Sequence, residues 1–176
     1  MKSIIKDINL SDSGRQKIEW VRKNMPLCRS LEEEFARDKP FAGLKFTVSV
    51  HLEAKTAYLA KVLAKGGASV SVTGSNPLST QDDVAAAVAE EGINVFAWYN
   101  ENPDEYKHHL IEALSYKPNI VIDDGGDLAS LLHTEKIDLL PHVLGGCEET
   151  TTCPDSRRRC LTACPKRRRT RPFRLQ

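Results

Sequence analysis

Three short stretches of this chain gather the side chains best suited to acid–base chemistry and polar recognition. One is His51, whose ring gains or loses a proton near neutral pH. The second is residues 74–83, GSNPLSTQDD, which offers Ser75, Asn76, Ser79, Thr80, Gln81, Asp82 and Asp83 in close succession. The third is residues 123–127, DDGGD, where Asp123, Asp124 and Asp127 flank two glycines that let a ligand approach the backbone. Carboxylates accept the pair of hydrogen bonds that a sugar diol donates. The chemistry implied is proton transfer beside a nucleotide-sized or polyol-sized polar ligand. Each stretch also has a purely structural reading. His51 can be a hydrogen-bonded framework residue, Ser79 or Asp82 a helix cap, and DDGGD a tight turn whose acids favour a following helix N-terminus.

The elements that must position these residues read as an α/β domain. Two helices lead. One covers roughly 13–24, with Ile18, Trp20 and Val21 on or near one face; the next follows Pro26, uses Leu27, Leu31 and Phe35, and ends before Pro40. Strands are expected at 44–51, 68–74, 93–99 and 119–124. Helices between them are expected to carry Ala54, Tyr58, Leu59, Val62 and Leu63 in the first crossover, and the run from Thr80 to Gly92 in the second. The run from Asp104 to Pro118 forms the third. Gly66–Gly67 and Gly92 stop the first two, and Ser79 is a possible N-cap. Strands separated by single helices imply a doubly wound, mostly parallel sheet with helices on both faces. Ligands then sit at the carboxyl ends of the strands, where all three stretches fall.

Composition divides the chain. A hydrophobic fraction of 40% and a charged fraction of 28% fit a globular domain. The net charge of +1 averages two unlike parts. Residues 153–176 hold nine of the 25 Lys and Arg and one of the 24 acids, a balance of +8, and residues 1–152 carry −7. That shift places a boundary near Thr152, between a domain at 1–152 and an irregular Arg- and Cys-rich tail at 153–176. No run approaches the ~20 apolar residues of a membrane span, and no export signal precedes the domain, so a cytoplasmic location is expected.

The motifs HLEAKTA (51–57), GSNPLSTQDDVAAA (74–87), NVFAWYNENPDEY (94–106), IDDGGDLASLLH (122–133) and GGCEETTT (145–152) resemble, in order and spacing, the amino-terminal motifs of the adenosylhomocysteinase family. The resemblance covers nearly all of residues 3–152. It implies reversible hydrolysis of S-adenosylhomocysteine to adenosine and homocysteine. In that reaction a tightly held NAD oxidises the ribose 3′ carbon, thiolate is eliminated, water adds, and the ketone is reduced again. It further implies catalytic proton handling by His51 and Asp124. Substrate contacts are expected from Glu53, Lys55, Thr56, Ser79, Thr80, Gln81, Asp124 and Glu149, with Glu149 on the ribose hydroxyls. Thr150, Thr151 and Thr152 are expected to contact NAD. No metal is implied, and the family assembles as tetramers.

Two residues depart from the familiar pattern. Thr usually stands at position 53 and Glu at 55, in the segment that meets the base; here they are Glu53 and Lys55. A Glu at 55 accepts from the exocyclic amine of adenine, whereas a Lys offers only donors and suits a purine carbonyl such as that of hypoxanthine. S-inosylhomocysteine is therefore an alternative substrate, unless Lys55 simply points to solvent.

No G-x-G-x-x-G phosphate loop occurs in the 176 residues, and Cys153 stands where the family has glycine. The tail is expected to arise from a reading-frame shift after Thr152, leaving the chain inactive alone, with a nucleoside-binding remnant as the milder outcome. A nucleic-acid arm built on Arg157–Arg159 and Lys166–Arg169 would have one aromatic, Phe173, and nothing to read bases, so nucleic acid is not an expected partner. Zinc binding through Cys153, Cys160 and Cys164 lacks a second close pair of ligands.

Overall fold

The computed structural model describes residues 3–149. Helices α1 (Ser11–Asn24) and α2 (Pro26–Asp38) lead, as the spacing predicts, and a 3-10 turn at Ile8–Leu10 precedes them. Proline at the first turn of α2 costs no hydrogen bond, and Lys39 closes that helix in a left-handed conformation just before Pro40. There follow β1 (Lys45–Ser49), α3 (Ala54–Lys65), β2 (Ser69–Thr73), α4 (Asp82–Glu90), β3 (Asn94–Phe96), α5 (Pro103–Leu114), β4 (Ile120–Asp123), α6 (Asp127–His133) and β5 (Gly145–Glu148). The five strands pair in the order β3-β2-β1-β4-β5, all parallel. The sheet is doubly wound, with α1 to α4 over one face and α5 and α6 over the other. Among the described residues, no helix is long and apolar enough to cross a membrane.

Strands β1, β2 and β3 are buried beyond their first residues, and two of their hydroxyls dock a helix. Thr47 and Ser71 lie on adjacent strands 2.8 Å apart, and both reach the carbonyl of Ala113 on α5. Each otherwise costly buried hydroxyl is thereby satisfied. On the opposite face Ile18, Val48, Tyr58, Val62, Val72, Val84 and Val88 form the main core.

Three helices are tied by one acid. Glu32 of α2 is buried and accepts from Arg22 of α1 at 2.9 Å, from the Tyr58 hydroxyl of α3 at 2.8 Å, and from Lys65. Burial alone would push its carboxyl up, but the three donors outweigh burial and bring it down to about 2. At the far end of α1, Gly14 rests on the backbone of Asp83. A Cβ there would stand 1.9 Å from the Asp83 carbonyl oxygen. Only glycine allows α1 to lie this close to α4.

Two expectations from the sequence are corrected. Trp20 does not share the buried face of Ile18 and Val21; it is 67% exposed. Two residues along a helix amount to about 200° of rotation, which carries the indole to the outer side of α1. Leu27, likewise counted among the apolar positions of α2, is 73% exposed, while Leu31 and Phe35 pack against the core.

Candidate active site at the switch point

The sheet order reverses between β1 and β4: the chain runs outward from β1 through β2 to β3, then crosses back to β4. Such a reversal leaves a crevice at the carboxyl edge of the two central strands. His51 follows β1 and Asp124 follows β4, so the fold brings together residues 73 positions apart. His51 Nε2 and Asp124 Oδ2 are 3.5 Å apart.

The ring orientation is fixed from its other side. His51 Nδ1 lies 2.6 Å from Ser79 Oγ, and the Ser79 hydroxyl donates to the Asn76 carbonyl at 2.9 Å. A serine has one proton to give. Once it goes to Asn76, Ser79 accepts from Nδ1–H, and in the neutral ring Nε2 is the bare nitrogen facing Asp124. Ser79 is therefore not the helix cap; Gln81 occupies that position in α4, with no side-chain capping bond.

Asp124 is held by Ser75, whose hydroxyl donates to Oδ2 at 3.1 Å, and by its backbone N–H, which donates to Asp123 Oδ1 at 3.1 Å. Asp123 also accepts from Ala129 N at 2.9 Å. It is buried, and burial beside Glu148 and Asp127 pushes its carboxyl up to about 7 against the pull of the two backbone donors. Glu148 Oε1 accepts from Gly125 N at 2.8 Å, and Gly125 and Gly126 both take positive φ, which bends the chain from β4 into α6. Tyr106 of α5 donates to Asp127 at 2.7 Å and also reaches the Ser75 carbonyl; burial and that carboxylate hold its phenol protonated.

The remaining expected contacts divide by location. Glu53 and Lys55 form an ion pair at 2.9 Å at the start of α3, and Glu53 raises the Lys55 pKa through that bond. Gln81 is half-buried beside them, and Glu149 is exposed and close enough to act electrostatically on Lys55. The backbone N–H of Glu149 donates to the Asp123 carbonyl at 2.9 Å. Thr56 and Thr80 are buried. Thr80 packs beneath Gly74, where an added Cβ would lie 2.7 Å from its hydroxyl oxygen. Thr150, Thr151, Thr152 and the tail at 153–176 lie outside the described residues.

Sequence reasoning missed β5, and with it the clasp of Glu148 on Gly125. Gly-Gly-Cys-Glu has neither β-branched residues nor alternation to announce a strand. It also missed the α1 side of the site. A groove of about 580 Å³ runs between α1 and the start of α3, lined by Lys17 and Trp20 on one side and by Glu53, Lys55 and Gln81 on the other.

These described residues do not fit a dinucleotide. The one Gly-Gly turn between a strand and a helix is ringed by Asp123, Asp124, Asp127 and Glu148, a charge that repels a pyrophosphate. The site instead combines an imidazole–carboxylate pair with uncharged polar groups that match the hydrogen-bonding chemistry of a neutral sugar and base.

An α/β domain with its polar cluster at the switch point is thus the class that fold and site define. The S-adenosyl-L-homocysteine hydrolase family model matches residues 2–167, and the chain belongs to that family. It is 52% identical over 148 residues to S-inosyl-L-homocysteine hydrolase of Methanocaldococcus jannaschii, covering 84% of this chain and 36% of that protein. It is 52% identical over 150 residues to the S-inosyl-L-homocysteine hydrolase of Methanococcus maripaludis, covering 85% and 36%. The adenosylhomocysteinase of Pyrococcus abyssi is 49% identical over 148 residues, covering 84% and 35%. The chain therefore spans about a third of the length of the curated relatives it matches. The family match runs past Thr152, while the pairwise matches cover 148 to 150 residues.

Proposed function

We propose that this chain is a nucleoside-binding part of a homocysteine-nucleoside thioether hydrolase, and that its base subsite prefers hypoxanthine to adenine. The observation that carries the preference is the Glu53–Lys55 pair. One Glu53 oxygen is engaged by Lys55 and the other is open to accept. A 6-oxopurine presents an O6 acceptor beside an N1–H donor, which match the Lys55 ammonium and the free Glu53 oxygen in turn. Relatives bearing the S-inosyl name at 52% identity support the same reading.

In the full reaction His51 and Asp124 would move protons near the sugar's 4′ and 5′ carbons, with Nε2 as the accepting atom. Glu149 would hold the ribose hydroxyls. NAD supplies the redox step in this family, and no step through it is derived from this chain's residues. The acidic Gly125–Gly126 turn offers no seat for a pyrophosphate, so in this reading residues 3–149 by themselves bind nucleoside without turnover.

Calorimetric titration with inosine and adenosine tests the base reading. Inosine should bind more tightly, and Lys55→Glu should reverse the order by about tenfold or more, the scale of one charge-assisted hydrogen bond. Equal or adenosine-favouring affinity in the unmodified chain would sink it. The inactivity reading fails if the chain releases homocysteine from either thioether with NAD added.

A further inference from the structure

The groove beside Lys55 contains a second, unassigned determinant. Lys17 of α1 lies with its Nζ 3.2 Å from Gln81 Oε1 and 2.7 Å from Asp83 Oδ2. An ammonium only donates, so the Gln81 atom that it meets is the carbonyl oxygen. The Gln81 amide nitrogen is then the end left over, and it donates to no protein acceptor among the described residues. The Gln81 main chain is anchored where α4 begins, its N–H donating to the Leu52 carbonyl at 3.0 Å. Lys17 is itself placed by the α1–α4 contact: Asp83 accepts from both Lys17 and Ser13, and those bonds hold its carboxyl below the usual range despite the opposing effect of burial.

We propose that Lys17 is a positioning residue for base specificity: it fixes the Gln81 amide with its NH2 toward the groove, so that Gln81 and Lys55 together present donors to a purine O6. A carbonyl oxygen has two lone pairs and accepts both. An exocyclic amine at the same place would turn its own hydrogens on two donors and leave them unmatched, which is where discrimination arises. Trp20, exposed on the same wall, supplies a flat apolar face beside them. Without Lys17 the amide is free to flip and present its oxygen to adenine, at the cost of a single bond.

This inference rests on the hypoxanthine reading, and the experiment separates the two. Inosine and adenosine affinities are measured by calorimetry for the unmodified chain and for Lys17→Met, Lys17→Arg, Gln81→Leu, Lys55→Ala and the Lys17→Met/Gln81→Leu double variant. Circular dichroism melts confirm that each variant folds. Lys17→Met should cut the inosine-to-adenosine ratio about threefold to tenfold, Lys17→Arg should keep it, and adding Lys17→Met to Gln81→Leu should change it no further. A ratio that falls with Lys55→Ala but is untouched by Lys17→Met would overturn the role of Lys17 and leave the base reading standing. An additive double variant would overturn it too. A folded unmodified chain that favours neither nucleoside, or binds neither, would overturn both.

Discussion

His51 Nε2 stands 3.5 Å from Asp124 Oδ2, and the ring is turned to that position by Ser79 on its opposite edge. The Ser79 hydroxyl gives its one proton to the Asn76 carbonyl, so toward the ring it can only accept. The neutral ring should therefore carry its proton on Nδ1, against the Nε2–H preference of free imidazole. Nitrogen-15 spectra of the neutral His51 ring should show this tautomer, and Ser79→Ala should shift the population toward Nε2–H. A dominant Nε2–H form in the unmodified chain would contradict the geometry.

Stability should pass through a maximum in mildly acidic solution, because two buried acids pull in opposite directions. Glu32 is held down to about 2 in the fold, so its contribution is complete above its ordinary value near 4.5 and is lost as pH falls toward 2. Asp123 is pushed up to about 7, so the folded chain keeps a proton that the unfolded chain releases near 3.8. Stability thus falls as pH rises from about 4 to about 7. Each effect is on the order of 2–4 kcal/mol. Urea unfolding from pH 2.5 to 8 should trace the dome. Glu32→Gln should flatten its acid limb and lower its height, since Arg22 and Lys65 would lose their countercharge.

The close approach of α1 to α4 makes Gly14→Ala a severe change. A methyl group 1.9 Å from a backbone oxygen cannot be accommodated by a rotamer change, so the helices must separate. The expected loss is about 2–4 kcal/mol in urea unfolding. Whatever fraction remains folded should also lose inosine preference, because Lys17 would move off Gln81. A variant as stable as the parent would refute this account of the contact.

Much of this was legible in the sequence, and the physical reasons are particular. β1, β2 and β4 are dense in Val, Ile, Thr and Ser between glycine or proline stops, so the parallel sheet follows from pattern and connection rules. The placement of His51 and Asp124 at strand ends follows from them as well. Trp20 was misplaced because an apolar residue near a buried face is not always on it. β5 was invisible since its pairing comes from backbone bonds to β4, with no side-chain signal. The Lys17–Gln81 bond joins a residue of α1 to the residue just before α4, 64 positions apart, and no local spacing reports it.

Among the described residues β5 is the outermost strand beyond β4, with no strand on its other side. The strand and the residue after it hold the site in two ways: Glu148 fastens Gly125, and the Glu149 backbone fastens the end of β4. Mechanically, β5 is the pull-tab of the domain. Strain applied there would unzip a short glycine-rich ladder before any core side chain moved, and would release the aspartate turn while the hydrophobic body stayed intact. Amide exchange in β5 and at Gly125 should accordingly run together and ahead of the rest of the sheet, so that the ligand site can melt without the fold.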